Sequence, residues 1–528
     1  MYTIKIDLSN DRGFCWYRSV GRYFKGYILH NGHYLTDKEA QDHLETGIAD
    51  LSCLDEFFRN LNGIYSFIIQ KNGKTLIVSD RTRSFPIFYK IKGNEIKISD
   101  DSLVLKDAGS VIDQEAVNIF LHAGYVTGEN TLYGDIKQVR AGEYFIATQE
   151  EVIKKVYHRY NSEELVNDES ILEDELFRII NDIGDDLAAS LKGRTPVVPL
   201  SSGFDSRLIA VLLKQHGFNS AITFTYGRKN NPELDLSERS AEKLGFKWHY
   251  MEYTNETVKG FLNSEEFNRY YPSASNYSSM FYLQEYFALQ ELKKIIPEDA
   301  VFIPGHSGDF FAGSHLNKNI IASRSEDEII GEIFQKHYSN KHIDDTDRQI
   351  LEKSVRGTLE DKGNFTYLDF EDWDLKERQA KFILNSNRIY EFFGYEYRLP
   401  LMDSRLIDFF VKVHPDLKYG KILYDKVLKQ RFFKDYELNF ENETNPSPAA
   451  LEIQEKKNRL KKILHEKIIN FYREKFKKKN DIYYNIGVTD EMTAALLNSG
   501  IKIDRSGENR NSVIIQWYIN QILKEKIK

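Results

Sequence analysis

The sequence predicts a two-domain α/β protein. An α+β domain rich in strands covers residues 1–160, a doubly wound parallel-sheet domain covers 161–435, and a helical extension of the second domain covers 436–528. Three observations predict this. Short alternating apolar runs, broken by Asn-Gly and Lys-Gly pairs, fill the first 160 residues and carry a hairpin signal. From residue 195 short apolar runs alternate with amphipathic ones, the pattern of a parallel sheet wrapped by helices. Beyond 436 the chain is charged and helical, as in "ALEIQEKKNRLKKILHEKIINFYREKF".

The bulk properties set limits. At 528 residues the chain exceeds one ordinary domain. Hydrophobic content of 41% with 13% aromatics supplies large cores and excludes a disordered chain. A formal net charge of −8 argues against a general nucleic-acid binder. Cys15 and Cys53 are the only cysteines and form no C-x-x-C, so neither a disulfide framework nor a cysteine zinc site is expected. The opening "MYTIKIDLSNDRGFCW" lacks a basic segment leading into an apolar one, and no run of about 18 apolar residues occurs. A cytoplasmic protein without membrane insertion is expected.

In order along the chain, "YILHNGHYLT", "GIYSFIIQKNGKTLIVSD" and "FPIFYKIKGNEIKIS" read as strands and hairpins. The acidic run "ILEDELFRIINDIGDDLAASL" reads as a helix leading into the second domain. There "TPVVPL" is a strand, "RLIAVLLKQHG" a helix stopped at Gly217, and "AITFTYG" a second strand. "ELDLSERSAEKLG" is a second helix stopped at Gly245, and "KWHYMEY" a third strand. Leu460, Ile463, Leu464 and Ile468 fall at helical spacing in the extension, and Lys477–Lys479 reads as a solvated face.

The stretch "PLSSGFDSRLIAVLLKQHG", residues 199–217, carries the chemistry. Ligands of open α/β sheets sit beyond the carboxyl ends of strands, where this loop lies. Gly203 permits a tight bend, helix-entering amides suit an anion, and Ser201, Ser202 and Ser206 add hydroxyls. Asp205 cannot donate to phosphate when ionised, but it can hold a Mg²⁺ that bridges phosphates. A Walker loop is excluded because Gly-Lys-Ser/Thr is missing.

This loop resembles the Ser-Gly-Gly-x-Asp-Ser pyrophosphate loop of the PP-loop ATP pyrophosphatases, with Ser202 in place of the first glycine. "AVFIPGHSGDFFAGSH", residues 300–315, resembles the Ser-Gly-Glu-Gly-x-Asp-Glu segment of the asparagine-synthetase family. "NSNRIYEFFGYEYRLPLMD", residues 385–403, resembles that family's helix-and-turn element through Asn387, Glu396, Arg398, Pro400 and Asp403. In the N-terminal half, "YILHNGHYLT", "LNGIYSFIIQKNGKTLIVSDRTRSFPIFY" and "GYVTGENTLYGDIKQVRAGEYF" resemble its glutaminase domain, an Ntn-hydrolase-like β-sandwich. The resemblance runs in order from about residue 25 to 435.

The resemblance implies a site and a reaction. ATP would bind at Leu200, Ser201, Ser202, Gly203, Asp205, Ser206, Thr223, Phe224 and Gly305, with Asp205 and Asp309 clamping Mg²⁺. A small-molecule carboxylate would be adenylated, releasing pyrophosphate, and an amine or ammonia would displace AMP. His306 takes the place of the family's catalytic glutamate and would act as general base, oriented by Glu391 or Glu396. A lysine that stabilises the transition state falls at Lys421 or Lys426, and the spacing leaves both open. Tyr2 stands where glutamine-using members carry their nucleophilic cysteine, so glutamine hydrolysis is not expected and the first domain would serve as a scaffold. The second loop is most similar to polysaccharide-pathway amidating relatives. A lasso-peptide-type cyclase, a tRNA-modifying PP-loop enzyme and an inactive scaffold are the rival readings, and oligomeric state is left open.

Overall fold

The computed structural model describes residues 2–48, 53–229, 231, 233–359, 365–441, 488–504 and 511–525. The helical positions Leu460 to Ile468 and the Lys477–Lys479 run lie outside the described residues.

The N-terminal half builds two sheets from short strands. They are β1 (Thr3–Asp7), β2 (Tyr17–Ser19), β3 (Arg22–His30), β4 (His33–Leu35), β5 (Asn62–Lys71), β6 (Lys74–Ser79), β7 (Phe88–Lys92), β8 (Glu95–Ser99), β9 (Lys137–Gln138), β10 (Glu143–Ala147) and β11 (Val152–Val156). The larger sheet runs β11-β10-β6-β5-β3-β2 with β4 on β3, and the smaller runs β1-β8-β7-β9. Asn31-Gly32 and Asn72-Gly73 all take positive φ, which closes the β3–β4 and β5–β6 hairpins as the sequence predicts.

Strands β5 and β6 read as nearly unbroken apolar runs because both their faces are covered. Ile68 and Ile77 face the smaller sheet, sharing a core with Ile87, Tyr89, Ile96 and Ile98. Their neighbours Phe67, Ile69, Leu76 and Val78 face the opposite way, onto the helices α1 (Asp37–Gly47) and α2 (Leu54–Asn60) through Leu44 and Phe58. A sheet-on-sheet layer with helices outside follows from the two-residue side-chain period alone.

Helix α3 (Gln114–Ala123) departs from that frame. Asp113 caps it, accepting from the amides of Glu115 and Ala116, and its apolar face joins the large core of the C-terminal half. Leu132 N–H donates to Tyr277 O, Gly128 N–H donates to Glu377, and Asn118 donates to Asp347. The two halves therefore share one continuous core at this seam. The C-terminal helices 488–498 and 511–525 pack onto the same region, with Tyr518 against Phe120 at 5.4 Å.

The C-terminal half is led by α4 (Glu169–Ser190), capped by Asp168. It then alternates as predicted: β12 (Thr195–Pro199), α5 (Phe204–Gln215), β13 (Ile222–Gly227), α6 (Glu233–Leu244) and β14 (Lys247–Glu252). Gly217 and Gly245 take φ of 81° and 70° just past the ends of α5 and α6. Strands β15 (Ala300–Phe302) and β16 (Glu396–Tyr397) complete a five-stranded parallel sheet in the order β14-β13-β12-β15-β16. Chain order reverses between β12 and β15, so the loops leaving those two strands splay apart and open a crevice at the carboxyl edge. No helix among the described residues is long and apolar enough to cross a membrane.

Candidate active site

The loops 200–206 and 304–309 meet at that crevice and line a cleft of about 390 Å³. They touch backbone to backbone. A methyl group on Gly305 would lie 2.6 Å from Ser206 N and 2.8 Å from Asp205 C, and one on Gly308 would lie 2.8 Å from Asp205 Oδ2. Both positions need glycine for this approach.

The first loop is held by its own small residues. Ser206 Oγ accepts from Ser201 N–H at 3.1 Å and lies 3.0 Å from Ser201 Oγ, which accepts from Gly203 N–H. Arg207, wholly buried, donates to Ser202 O at 2.9 Å and to Leu438 O at 2.8 Å, pinning the loop from below. Gly203 is the cap of α5 and no side chain caps that helix, so its first-turn amides remain for a ligand.

Asp205 stands at the junction. Its Oδ2 accepts from Asp309 N–H at 2.8 Å and its Oδ1 from Tyr424 O–H at 3.0 Å. Burial, reinforced by the Asp309 charge, pushes the Asp205 carboxyl up to about 7. Two acids arranged to disfavour each other fit a divalent cation, which would relieve both. No group of three or more His, Cys, Asp or Glu capable of holding a metal occurs among the described residues. Asp205 and Asp309 would therefore supply two oxygens, and phosphate and water the rest, as Mg²⁺ prefers.

The second loop is strained. Ser307 takes φ 69°, a left-handed value costly for a serine, and its Oγ donates to Gln379 Oε1 at 2.8 Å. Gln379, itself anchored on Asp374, sits in the π-helical stretch 375–383. Neither Gln379 nor Tyr424 was visible in the sequence, because both lie in helical runs that read as packing.

The expected site residues separate on this geometry. Leu200, Ser201, Gly203, Asp205, Ser206, Phe224, Gly305, His306, Asp309 and Lys421 line the cleft. Ser202 and Thr223 do not. Ser202 offers its carbonyl to Arg207, and Thr223 Oγ1 donates to Lys247 O across the sheet. Thr225, which donates to Leu200 O at 2.6 Å, and Tyr226 take the lining position instead.

Of the two lysines, Lys421 lines the cleft. It takes φ 60° after Gly420 at 70°, and this kink turns its ammonium toward Phe204 (5.3 Å) and Asp425 (3.1 Å). Lys426 points the other way, into an ion pair with Glu169 at 2.7 Å and a second with Glu173 on α4.

His306 lines the cleft, but its two expected partners are engaged elsewhere. Its Nε2 lies 3.3 Å from Ser386 Oγ, and burial pushes the imidazole down to about 4. Glu391 does not orient it. It is buried against Lys25 of the N-terminal half at 3.1 Å, where Asn10 and Tyr397 also donate to it. Glu396 pairs with Arg398 at 2.9 Å and Arg194 at 3.0 Å.

The cleft also holds groups the sequence did not single out: Glu233, Tyr282, Gln284 and Glu285. Glu285 is buried and accepts from Tyr390 O–H at 2.7 Å, and burial pushes its carboxyl up to about 7. Its run "FYLQEYFALQEL" reads as an aromatic core helix, which hid it.

Residues 187–439 match the asparagine synthase family, and residues 51–158 match a glutamine amidotransferase domain. Over 68 residues, 13% of this chain, the sequence is 38% identical to 7-cyano-7-deazaguanine synthase of Kineococcus radiotolerans, spanning 30% of that protein's length. Among solved structures it is similar to the glutamine phosphoribosylpyrophosphate amidotransferase from B. subtilis complexed with ADP and GMP. That likeness has a TM-score of 0.20 and 8% identity over 55% of this chain and 63% of the other. NMN synthetase from Francisella tularensis is similar at a TM-score of 0.19, with 13% identity over 43% of this chain and 94% of the other. An amidotransferase-type domain therefore leads into an asparagine-synthase-type domain in one chain, in the order that the sequence resemblance implies.

Proposed function

We propose that the protein is an AMP-forming carbon–nitrogen ligase that adenylates a carboxylate and passes the acyl group to an amine. The observation that carries this reading is the juxtaposition of the 200–206 loop with Asp309 across the switch point of the sheet. The amides entering α5, with Ser201 and Ser206, bind and orient the phosphates of ATP. Asp205 and Asp309 would hold Mg²⁺, which when bound neutralises the charge that develops on pyrophosphate. Lys421 supplies a further cation at the same edge. A carboxylate is a poor electrophile, and joining it to AMP gives the acyl carbon a good leaving group. Positioning and charge neutralisation then supply most of the rate.

Neither Cys15 nor Cys53 lies in this cleft, and both are exposed thiols. The nitrogen comes from free ammonia or an amine, without glutamine hydrolysis. The test is substrate-dependent pyrophosphate release from ATP·Mg²⁺ with pools of acids and amines. Asp205→Asn keeps the shape and removes the charge, and should lower the rate by roughly 100-fold or more. Wild-type release from that variant refutes the reading.

A further inference from the structure

Five glutamates are buried among the described residues: Glu143, Glu285, Glu371, Glu377 and Glu391. Four of them face a cation. Arg140 reaches Glu143 at 2.9 Å, Lys418 reaches Glu371 at 2.7 Å, Lys381 reaches Glu377 at 2.6 Å and Lys25 reaches Glu391 at 3.1 Å. Glu285 faces hydroxyls alone, and of the five it is the one that lines the reaction cleft.

A buried carboxylate without a cation is expensive, and the other four sites show how this fold meets that cost. Hydroxyl groups close to Glu285 come from separate elements, Tyr226 on β13, Tyr270 on the helix 265–275 and Tyr390 on the helix 388–393, with Tyr282 lining the same cleft. Burial pushes Tyr226, Tyr270 and Tyr390 well above the ordinary phenol range, so they stay neutral hydroxyls. Tyr226 and Tyr282 hydroxyls lie 3.0 Å apart, and Tyr282 donates to Gln284 at 3.2 Å. An anionic acceptor ringed by neutral hydroxyls suits an ammonium head group, whose N–H groups can donate to both.

We propose that Glu285, with Tyr226, Tyr282 and Tyr390, is the seat of the incoming nucleophile, and that this nucleophile is a primary amine docking as its ammonium ion. The inference rests on the ligase reading for its chemistry. One ammonium proton passes to the Glu285 carboxylate and frees the nitrogen lone pair. The C–N bond forms at the acyl carbon. The C–O bond to AMP breaks with its electron pair on the phosphate oxygen, and the second proton leaves nitrogen for solvent.

The experiment is ligand-observed NMR on the full chain with butylammonium chloride as probe, 1-butanol as its uncharged counterpart, and ATP·Mg²⁺ binding read on the same samples. Wild type should bind butylammonium at pH 8, and Glu285→Gln should weaken it by at least roughly 30-fold while leaving ATP·Mg²⁺ binding unchanged. Wild-type binding should fade on acidification with a midpoint near 7, as the carboxyl takes up its proton. Undiminished butylammonium binding by the Gln variant overturns the proposal, as does wild-type binding that persists at pH 5.5 or is absent at pH 8. Should the Gln variant not fold, Tyr226→Phe and Tyr390→Phe, which each remove a hydroxyl from the seat and none from the 200–206 loop, decide in its place, and undiminished butylammonium binding by both overturns the proposal. ATP·Mg²⁺ binding without butylammonium keeps the ligase reading and sinks the amine seat. Butylammonium binding at Glu285 without ATP·Mg²⁺ does the reverse.

Discussion

Lys421 and Lys426 are five residues apart in one run, yet one borders the cleft and the other is spent on α4. The difference lies in backbone conformation. Gly420 and Lys421 both take left-handed φ, which reorients the chain before the helix 422–427 begins. Lys421→Ala should therefore lower nucleotide turnover by roughly 100-fold, the scale of one lost electrostatic stabiliser. Lys426→Ala should leave turnover within about twofold, since it removes only a half-exposed ion pair. Steady-state pyrophosphate release on both variants checks this, and equal losses would contradict it. Glu285 offers a second test at this scale. Folded, its carboxyl holds a proton up to about 7, against an ordinary value of 4.5. Below 4.5 both states are protonated and no cost arises; as pH rises to 7 the cost of burying the charge appears, and above 7 it is complete. Glu285→Gln should raise stability at pH 8 by up to about 3 kcal/mol and leave it nearly unchanged at pH 4.5. Thermal unfolding at the two pH values decides, and an equal shift at both would contradict the argument.

The elements of the site depend on two loops approaching closer than any side chain allows. Gly305→Ala would place a methyl against the backbone of Ser206 and Asp205, neither of which can yield as a flexible side chain would. The variant should fold but lose roughly 100-fold in turnover, because a displacement of about 1 Å is enough to misalign reacting groups. Gly331→Ala, on the helix 326–337 with nothing within 4 Å of the added carbon, is the matched control and should be silent. Wild-type turnover in Gly305→Ala would contradict the contact. This is also the scale at which the sequence was readable. Loop 200–206 and its flanking strand and helix are contiguous, and small residues between two apolar runs announce them. The parallel sheet was legible for the same reason, since period and stop signals are local. Glu285, Tyr424 and Gln379 come from separate segments whose local pattern is that of buried helix, and only the tertiary fold brings Glu285 to the cleft and the other two onto Asp205 and Ser307. Spacing was equally silent on Glu391, whose partner Lys25 lies far back in the chain.

At the scale of the whole molecule, the two halves are joined by apolar packing through α3 and by a buried charge pair. Lys25 Nζ contacts Glu391 and Asn10 O with both charged side chains only 2% exposed. Removing one partner of such a pair strands the other charge in the interior. Glu391→Gln should cost about 3–5 kcal/mol, whereas Lys25→Met, which leaves Glu391 the Arg388 guanidinium at 3.8 Å, should cost less. The midpoint of denaturant unfolding measures both, and a neutral Glu391→Gln would contradict the assignment of Glu391 to the seam. At this seam the amidotransferase-type half shares the core on which the helix carrying Tyr390 and the π-helix carrying Gln379 are laid. On the function proposed above, what that core positions is a site for cleaving ATP at its α-phosphorus. The most direct measurement is phosphorus NMR of the products formed from ATP·Mg²⁺ with pooled carboxylates and primary amines. AMP and pyrophosphate in equal amounts, both lost in Asp205→Asn, are the predicted result. ADP and orthophosphate, or AMP formation that survives the Asn variant, would contradict it.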